Sequence, residues 1–282
     1  MTDAVDDTAP MERPDDGDSG DVGHMTLMEH LAELRNRLIK SVIAVAVCVV
    51  GCWILYPFIL DFLLEPYCKT FPVEDRIDSH LFGPDGGCNL YVSSPLEPFS
   101  VRITLVGYSG LALAMPVLLW QAWRFIAPGL YRHEKRYAVP FVAAGVLLFF
   151  LGVALAYWSL PRALDFLKDI GGPDLVSLFS PQRYLGFVVR MMVAFGIAFQ
   201  FPIVLIGLQA MDIVENRTLR KIRSYAVVGI VVLVAVITPS GDPFTLMALS
   251  IPMYAFYEFA ILWGVLARRR QRRREAAERP SR

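Results

Sequence analysis

Four cysteines and four histidines are the first residues to test for chemistry in this 282-residue chain. His24, His30, His80 and His133 are scattered, with no spacing that suits a metal, and read as surface residues. Cys48 and Cys52 stand four apart in an apolar run, where cysteine packs as a compact hydrophobe. Cys68 and Cys88 bracket a polar stretch. They form a disulfide if that stretch faces an oxidising compartment and remain thiols otherwise. No phosphate-binding GxxxxGK loop, GxGxxG, HExxH or GxSxG is present, so nucleotide hydrolysis and the familiar hydrolases are unsupported. The chain reads as a protein that is not an enzyme and needs no cofactor. Polar groups inside apolar runs are the remaining candidates, because they are costly in a membrane and default to function. Gln200 is the best of these. Glu134 lies among Arg132, Lys135 and Arg136, where an acid at minimum balances charge.

The elements that must position these residues are membrane spans. A content of 55% hydrophobic residues is too high for an ordinary soluble domain. Residues 1–25 carry Asp3, Asp6, Asp7, Glu12, Asp15, Asp16, Asp18 and Asp21 with little apolar bulk, which predicts a disordered acidic tail. This stretch lacks the apolar core of a signal peptide, so the first span is expected to act as its own signal-anchor. Apolar runs at 38–60, 99–125, 137–160, 184–208, 225–237 and 244–265 predict six transmembrane helices, against the roughly 20 residues a crossing needs. The fifth run reaches only about 20 Å at 1.5 Å per residue. It therefore predicts a short hairpin that thins the bilayer or stops within it, and a concave, partly wetted wall.

Lysine and arginine collect at alternate span ends: Arg35, Arg37 and Lys40, then Arg132, Lys135 and Arg136, then Arg217, Arg220, Lys221 and Arg223, then the run from Arg268 to Arg274. By the positive-inside rule both termini are cytoplasmic, and 266–282 forms a basic cytoplasmic tail. Ahead of the first span, Thr26-Leu27-Met28-Glu29 is a capping box that opens an amphipathic interfacial helix. Leu27, Leu31, Leu34 and Leu38 form its apolar stripe, and Glu33 and Arg37 pair at i, i+4. Glu258, near the inner end of the last span, is expected to snorkel or to pair with Arg268 or Arg269.

Several segments carry a more specific signal. They are His30-Leu31-Ala32-Glu33-Leu34-Arg35-Asn36-Arg37-Leu38, Ser94-Pro95-Leu96-Glu97, the stretch from Gln121 through Phe125 to Glu134, and Ala194-Phe195-Gly196-Ile197-Ala198-Phe199-Gln200-Phe201-Pro202. With Arg220-Lys221-Ile222-Arg223, Thr238-Pro239 and Ile251-Pro252-Met253-Tyr254, they resemble in matching order the TatC family, the twin-arginine translocase receptor, over about 26–265. The resemblance implies an all-α, six-span, concave and glove-like bundle in the bacterial cytoplasmic membrane. It also implies binding of twin-arginine signal peptides of folded cargo at the cytoplasmic face through Glu33, Phe125 and Glu134. Such a receptor needs carboxylates, since guanidinium forks take bidentate, charge-assisted bonds that lysine does not reproduce.

The implied partners are TatA, TatB and the lipid bilayer, with self-association into a multi-copy complex, transport driven by the proton-motive force, and no nucleic acid. Gln200 stands where the family commonly has a glutamate that faces partner helices, so a mechanism that protonates this position is unsupported here. Pro66, Leu96 and Glu97 match an outer cap, although Pro66 alone reads as a helix stop. Asp242 matches a turn aspartate, with Gly241 an added residue by the same resemblance and Leu246 where relatives carry a polar group. The alternative reading is a six-span secondary transporter for a small solute or ion, which predicts inverted repeats and broken midplane helices. No repeat is visible, and Gln200-Phe201-Pro202 is the sole candidate break.

Overall fold

The computed structural model describes residues 27–70, 92–126, 138–170, 180–210, 213–238 and 241–278. The acidic tail, Cys88 and Glu134 with its neighbouring basic residues lie outside these. Helices α1 (Leu27–Ile54), α2 (Tyr56–Thr70), α3 (Glu97–Ile126), α4 (Ala138–Ile170), α5 (Pro181–Ala198), α6 (Phe201–Ala210), α7 (Asn216–Lys221), α8 (Arg223–Ile237) and α9 (Pro243–Glu278) follow one another, with no strand among the described residues. Five segments are long and apolar enough to cross a membrane, and α8 is a shorter apolar helix, which makes the six expected crossings.

The amphipathic segment is the start of α1 itself and is not a separate interfacial helix. No proline interrupts 27–54, so the helix runs unbroken from Leu27 into the span. The first span ends earlier than expected, at Leu55. Pro57 has no N–H for the carbonyl of Trp53. That carbonyl instead accepts a bond from Arg102 Nη2 of α3 at 3.4 Å, and the Arg102 guanidinium lies over the Trp53 and Tyr56 rings at 4.3 and 4.9 Å. The fourth run is likewise two helices. Gln200 N bonds Ile197 O at 2.9 Å in a tightened turn, and Pro202 brings no donor to continue the ladder. At the other end of the chain, α9 continues past the expected span into the arginine run as far as Glu278.

Glycines set the closest helix crossings. A Cβ on Gly152 of α4 would stand 2.6 Å from Phe195 O, and one on Gly196 of α5 would stand 2.5 Å from the Phe149 ring. Gly196 thus seats the Phe149 ring of α4, and Gly152 seats the Phe195 backbone and the Phe199 ring at the end of α5. On α3, a Cβ at Gly110 would come within 2.8 Å of the Val49 backbone of α1. The edge helices α1 and α8 each lean chiefly on one spanning neighbour, α3 and α9 respectively. At about 22 Å, α8 is too short to complete a wall. The bundle is therefore an open, concave glove. Gly196→Val should destabilise the purified protein by about 1 to 3 kcal/mol through overpacking against Phe149. Gly229, whose added Cβ would meet nothing within 4 Å, is the control, and Gly229→Ala should leave the detergent unfolding midpoint unchanged or raised.

Candidate functional site

The end of the bundle where α1 begins and α3 ends gathers charge and one aromatic. Sixteen residues separate Val49 from Glu33 along α1 and Gly110 from Ile126 along α3. Because the two helices run antiparallel and share a rise of about 1.5 Å per residue, the Val49–Gly110 contact sets Glu33 level with the end of α3, the turn that carries Phe125. Both side chains are partly buried. Glu33 accepts a charge-assisted bond from Arg37, whose side chain is only 14% exposed. Arg35 and Arg124 stand exposed at about the same level, and Lys40 is exposed two turns further along α1. Trp123, buried one turn before the end of α3, packs its ring 4.2 Å from Phe141 of α4. That contact fixes both ends of the short connection that carries Glu134, itself outside the described residues.

Gln200 sits in the break between α5 and α6, half-buried. Its Nε2 donates to Gly145 O of α4 at 3.0 Å, while its Oε1 is buried with no hydrogen-bond partner among the described residues. The amide thus ties the break to α4 and keeps one unsatisfied acceptor.

The residues grouped as an outer cap take three different roles. Pro66 does not stop the helix. It is buried inside α2, which continues to Thr70. The carbonyl it leaves without an N–H, Phe62 O, accepts from Tyr157 OH of α4 at 3.1 Å, and the adjacent Leu63 O accepts from Tyr184 OH of α5 at 3.0 Å. Glu97 is buried in the first turn of α3. Its Oε2 accepts from Ser93 N and Oγ at 2.8 and 3.0 Å, and its Oε1 accepts from Gln182 N of α5 at 3.2 Å. It therefore pins the starts of α3 and α5 together. Leu96 is 73% exposed. In α2, Lys69 Nζ bonds Glu65 at 2.6 Å and holds that carboxyl below its usual range. Cys68 is in a disulfide, whereas Cys48 and Cys52 are free thiols.

Asp242 is a helix cap. Buried before Pro243, it accepts from Thr245 N at 2.7 Å and from Thr245 Oγ1, and Gly241 at φ +61° makes the turn that admits it. Glu258 pairs with Arg223 of α8 at 2.7 Å and with Tyr254 at 3.0 Å, and this corrects the expectation of Arg268 or Arg269. Sequence reasoning missed Arg102, Tyr157 and Tyr184. For Arg102 and Tyr157 the available signal was a proline four residues after the orphaned carbonyl, together with a polar group in a facing span; Tyr184, which bonds the neighbouring carbonyl of Leu63, had no such signal.

Residues 29–252 match the family model described as Sec-independent protein translocase protein (TatC). The chain is 40% identical over 254 residues to the Sec-independent protein translocase protein TatC of Frankia casuarinae, covering 89% of this chain and 68% of that one. It is 38% identical over 251 residues to the TatC of Aquifex aeolicus, covering 88% and 98%. A crystal structure of the twin-arginine translocase receptor TatC in DDM superposes with a TM-score of 0.69 at 37% identity, covering 84% of this chain and 99% of that one.

The capping geometry separates a structural role for Asp242 from an electrostatic one. Asp242→Ala should cost about 1 to 2 kcal/mol, read as a lowered denaturation midpoint in detergent. Asp242→Asn keeps the cap oxygen and should remain within a few tenths of a kcal/mol of the parent.

Proposed function

The chain belongs to the TatC family of Sec-independent protein translocase proteins, and on that premise we propose that it is the receptor that reads twin-arginine signal peptides. As a member it is a multi-pass membrane component of Sec-independent protein translocation and not an enzyme.

The proposed receptor surface is the end of the bundle that holds Glu33 and Phe125, completed by Glu134. The observation that carries this reading is the α1–α3 alignment at Val49 and Gly110, which brings a carboxylate and an aromatic side chain from distant segments to one level. Two adjacent guanidinium groups require two carboxylates. Glu33 is already held by Arg37, so an incoming arginine exchanges with or adds to an existing guanidinium and does not have to strip a bare acid of water. Phe125 offers an apolar or cation–π face to the same peptide. In this reading both termini and the receptor face are cytoplasmic in the bacterial inner membrane, and Cys68 bonds Cys88 on the opposite side. TatA and TatB helices join along the concave wall near Gln200, and the proton-motive force drives transport. The uncharged amide of Gln200 and its bond to Gly145 favour a contact there by hydrogen bonding over one by protonation.

Purified protein in nanodiscs should bind a labelled Arg-Arg signal peptide about tenfold or more tightly than its Lys-Lys counterpart, the equivalent of one charge-assisted bond. Glu33→Gln and Glu134→Gln should each erode that preference. Equal binding of the two peptides by the parent protein would remove the receptor assignment.

A further inference from the structure

At the membrane face away from the start of α1, a cavity of about 640 Å³ opens between the beginnings of α3 and α5. Arg183, Phe187 and Arg190 line it from α5, and Ser94 and Ser100 contribute hydroxyls. The spacing i, i+4, i+7 puts the three α5 residues on one stripe. Arg190 lies nine residues into the helix, about 14 Å below its outer end. Its guanidinium folds back over Gly186, where an added Cβ would stand 3.3 Å from Nη2, and so points up towards the mouth.

A guanidinium at this depth calls for a partner. Two other arginines of the spans have one: Arg102 lies over Trp53 and Tyr56, and Arg162 lies over Trp158 at 4.1 Å and Phe244 at 5.6 Å. Neither Arg183 nor Arg190 has a side-chain hydrogen bond or ion pair among the described residues. Glu97 lines the same cavity, but its two oxygens are occupied by Ser93 and Gln182, and it forms no ion pair with either arginine.

We propose that this cavity binds the phosphate of an anionic phospholipid from the leaflet at that face. Two guanidinium groups and one carboxylate leave the lining at a net single positive charge, which complements one phosphodiester. Arginine forks and serine hydroxyls are the donors a phosphate takes. Arg183 at the first turn of α5 and Arg190 deeper down grip a headgroup drawn slightly below the surface, while Phe187 and the exposed Leu96 offer apolar contact to its acyl chains. A carboxylate on a partner helix would use less of the cavity and none of the apolar rim. This proposal does not depend on the receptor reading.

Native mass spectrometry of the detergent-purified full chain, titrated with phosphatidylglycerol and with phosphatidylcholine, tests it. The parent should retain phosphatidylglycerol about tenfold better, and Arg183→Gln combined with Arg190→Gln should bring the two lipids to parity. Arg183→Gln alone, at an exposed first turn, should lower the preference several-fold with an unchanged melting temperature, which separates loss of the site from loss of the fold. An unchanged preference in the double variant overturns the proposal. So does displacement of the lipid by millimolar inorganic phosphate, which would mark a small-anion site. Loss of an acid-bearing single-span helix from the variants with lipid retention intact would overturn it in favour of a protein carboxylate.

Discussion

The shape of this protein depends on how it satisfies backbone carbonyls that its prolines leave without a donor. In hydrocarbon no water can take that place, so each orphan needs a partner from a neighbouring helix. Trp53 O, freed by Pro57, takes Arg102 of α3. Phe62 O, freed by Pro66, takes Tyr157 of α4, and the adjacent Leu63 O takes Tyr184 of α5. The bends at which α1 passes into α2 are thereby fastened to three other helices. What reads in one dimension as a chain of interruptions is in three dimensions the set of links that holds the far face together.

The same principle extends to the other breaks. The Phe199–Gln200 turn is tied to α4 through the Gln200 amide, and the connection before α9 is closed by Asp242 and Thr245. Gln209 and Asn216 donate to the carbonyls of Ala260 and Ile261, and fit only because Gly264 leaves them room. With the breaks held, glycine notches between α4 and α5 and between α1 and α3 fix the helix levels. The level of α1 against α3 is what brings Glu33 and Phe125 to the same end of the bundle. The short α8 leaves the wall open, so a rigid, concave surface follows from local chemistry at a few backbone defects.

Much of this was legible in the sequence. Hydropathy located the crossings and the short fifth helix, because a span must be apolar over a fixed length whatever it packs against. The Glu33–Arg37 pair was legible because it is local to one helix. The misread features depend on partners remote in sequence. Pro66 looked like a helix stop because the tyrosine that takes its orphaned carbonyl lies about 90 residues away, and the one that bonds the next carbonyl about 120. Glu258 was matched with the nearest arginines in the chain, whereas the hairpin brings Arg223 to it. The early end of the first span at Leu55 was hidden in a run whose apolar character continues unbroken. Arg190 passed unnoticed because a lone arginine in an apolar run shows its meaning only when its neighbours are seen to leave it without a partner.

The level of α1 against α3 builds the face proposed to read paired arginines. The most direct measurement places a photoreactive amino acid at Phe125 and another at Phe150, which is exposed on α4 well away from that end, and presents each protein with a twin-arginine precursor in membranes. The account predicts a covalent adduct at position 125 that disappears when the two arginines become lysines, and none at position 150. An adduct at 150 alone, or one at 125 indifferent to the lysine exchange, would contradict it.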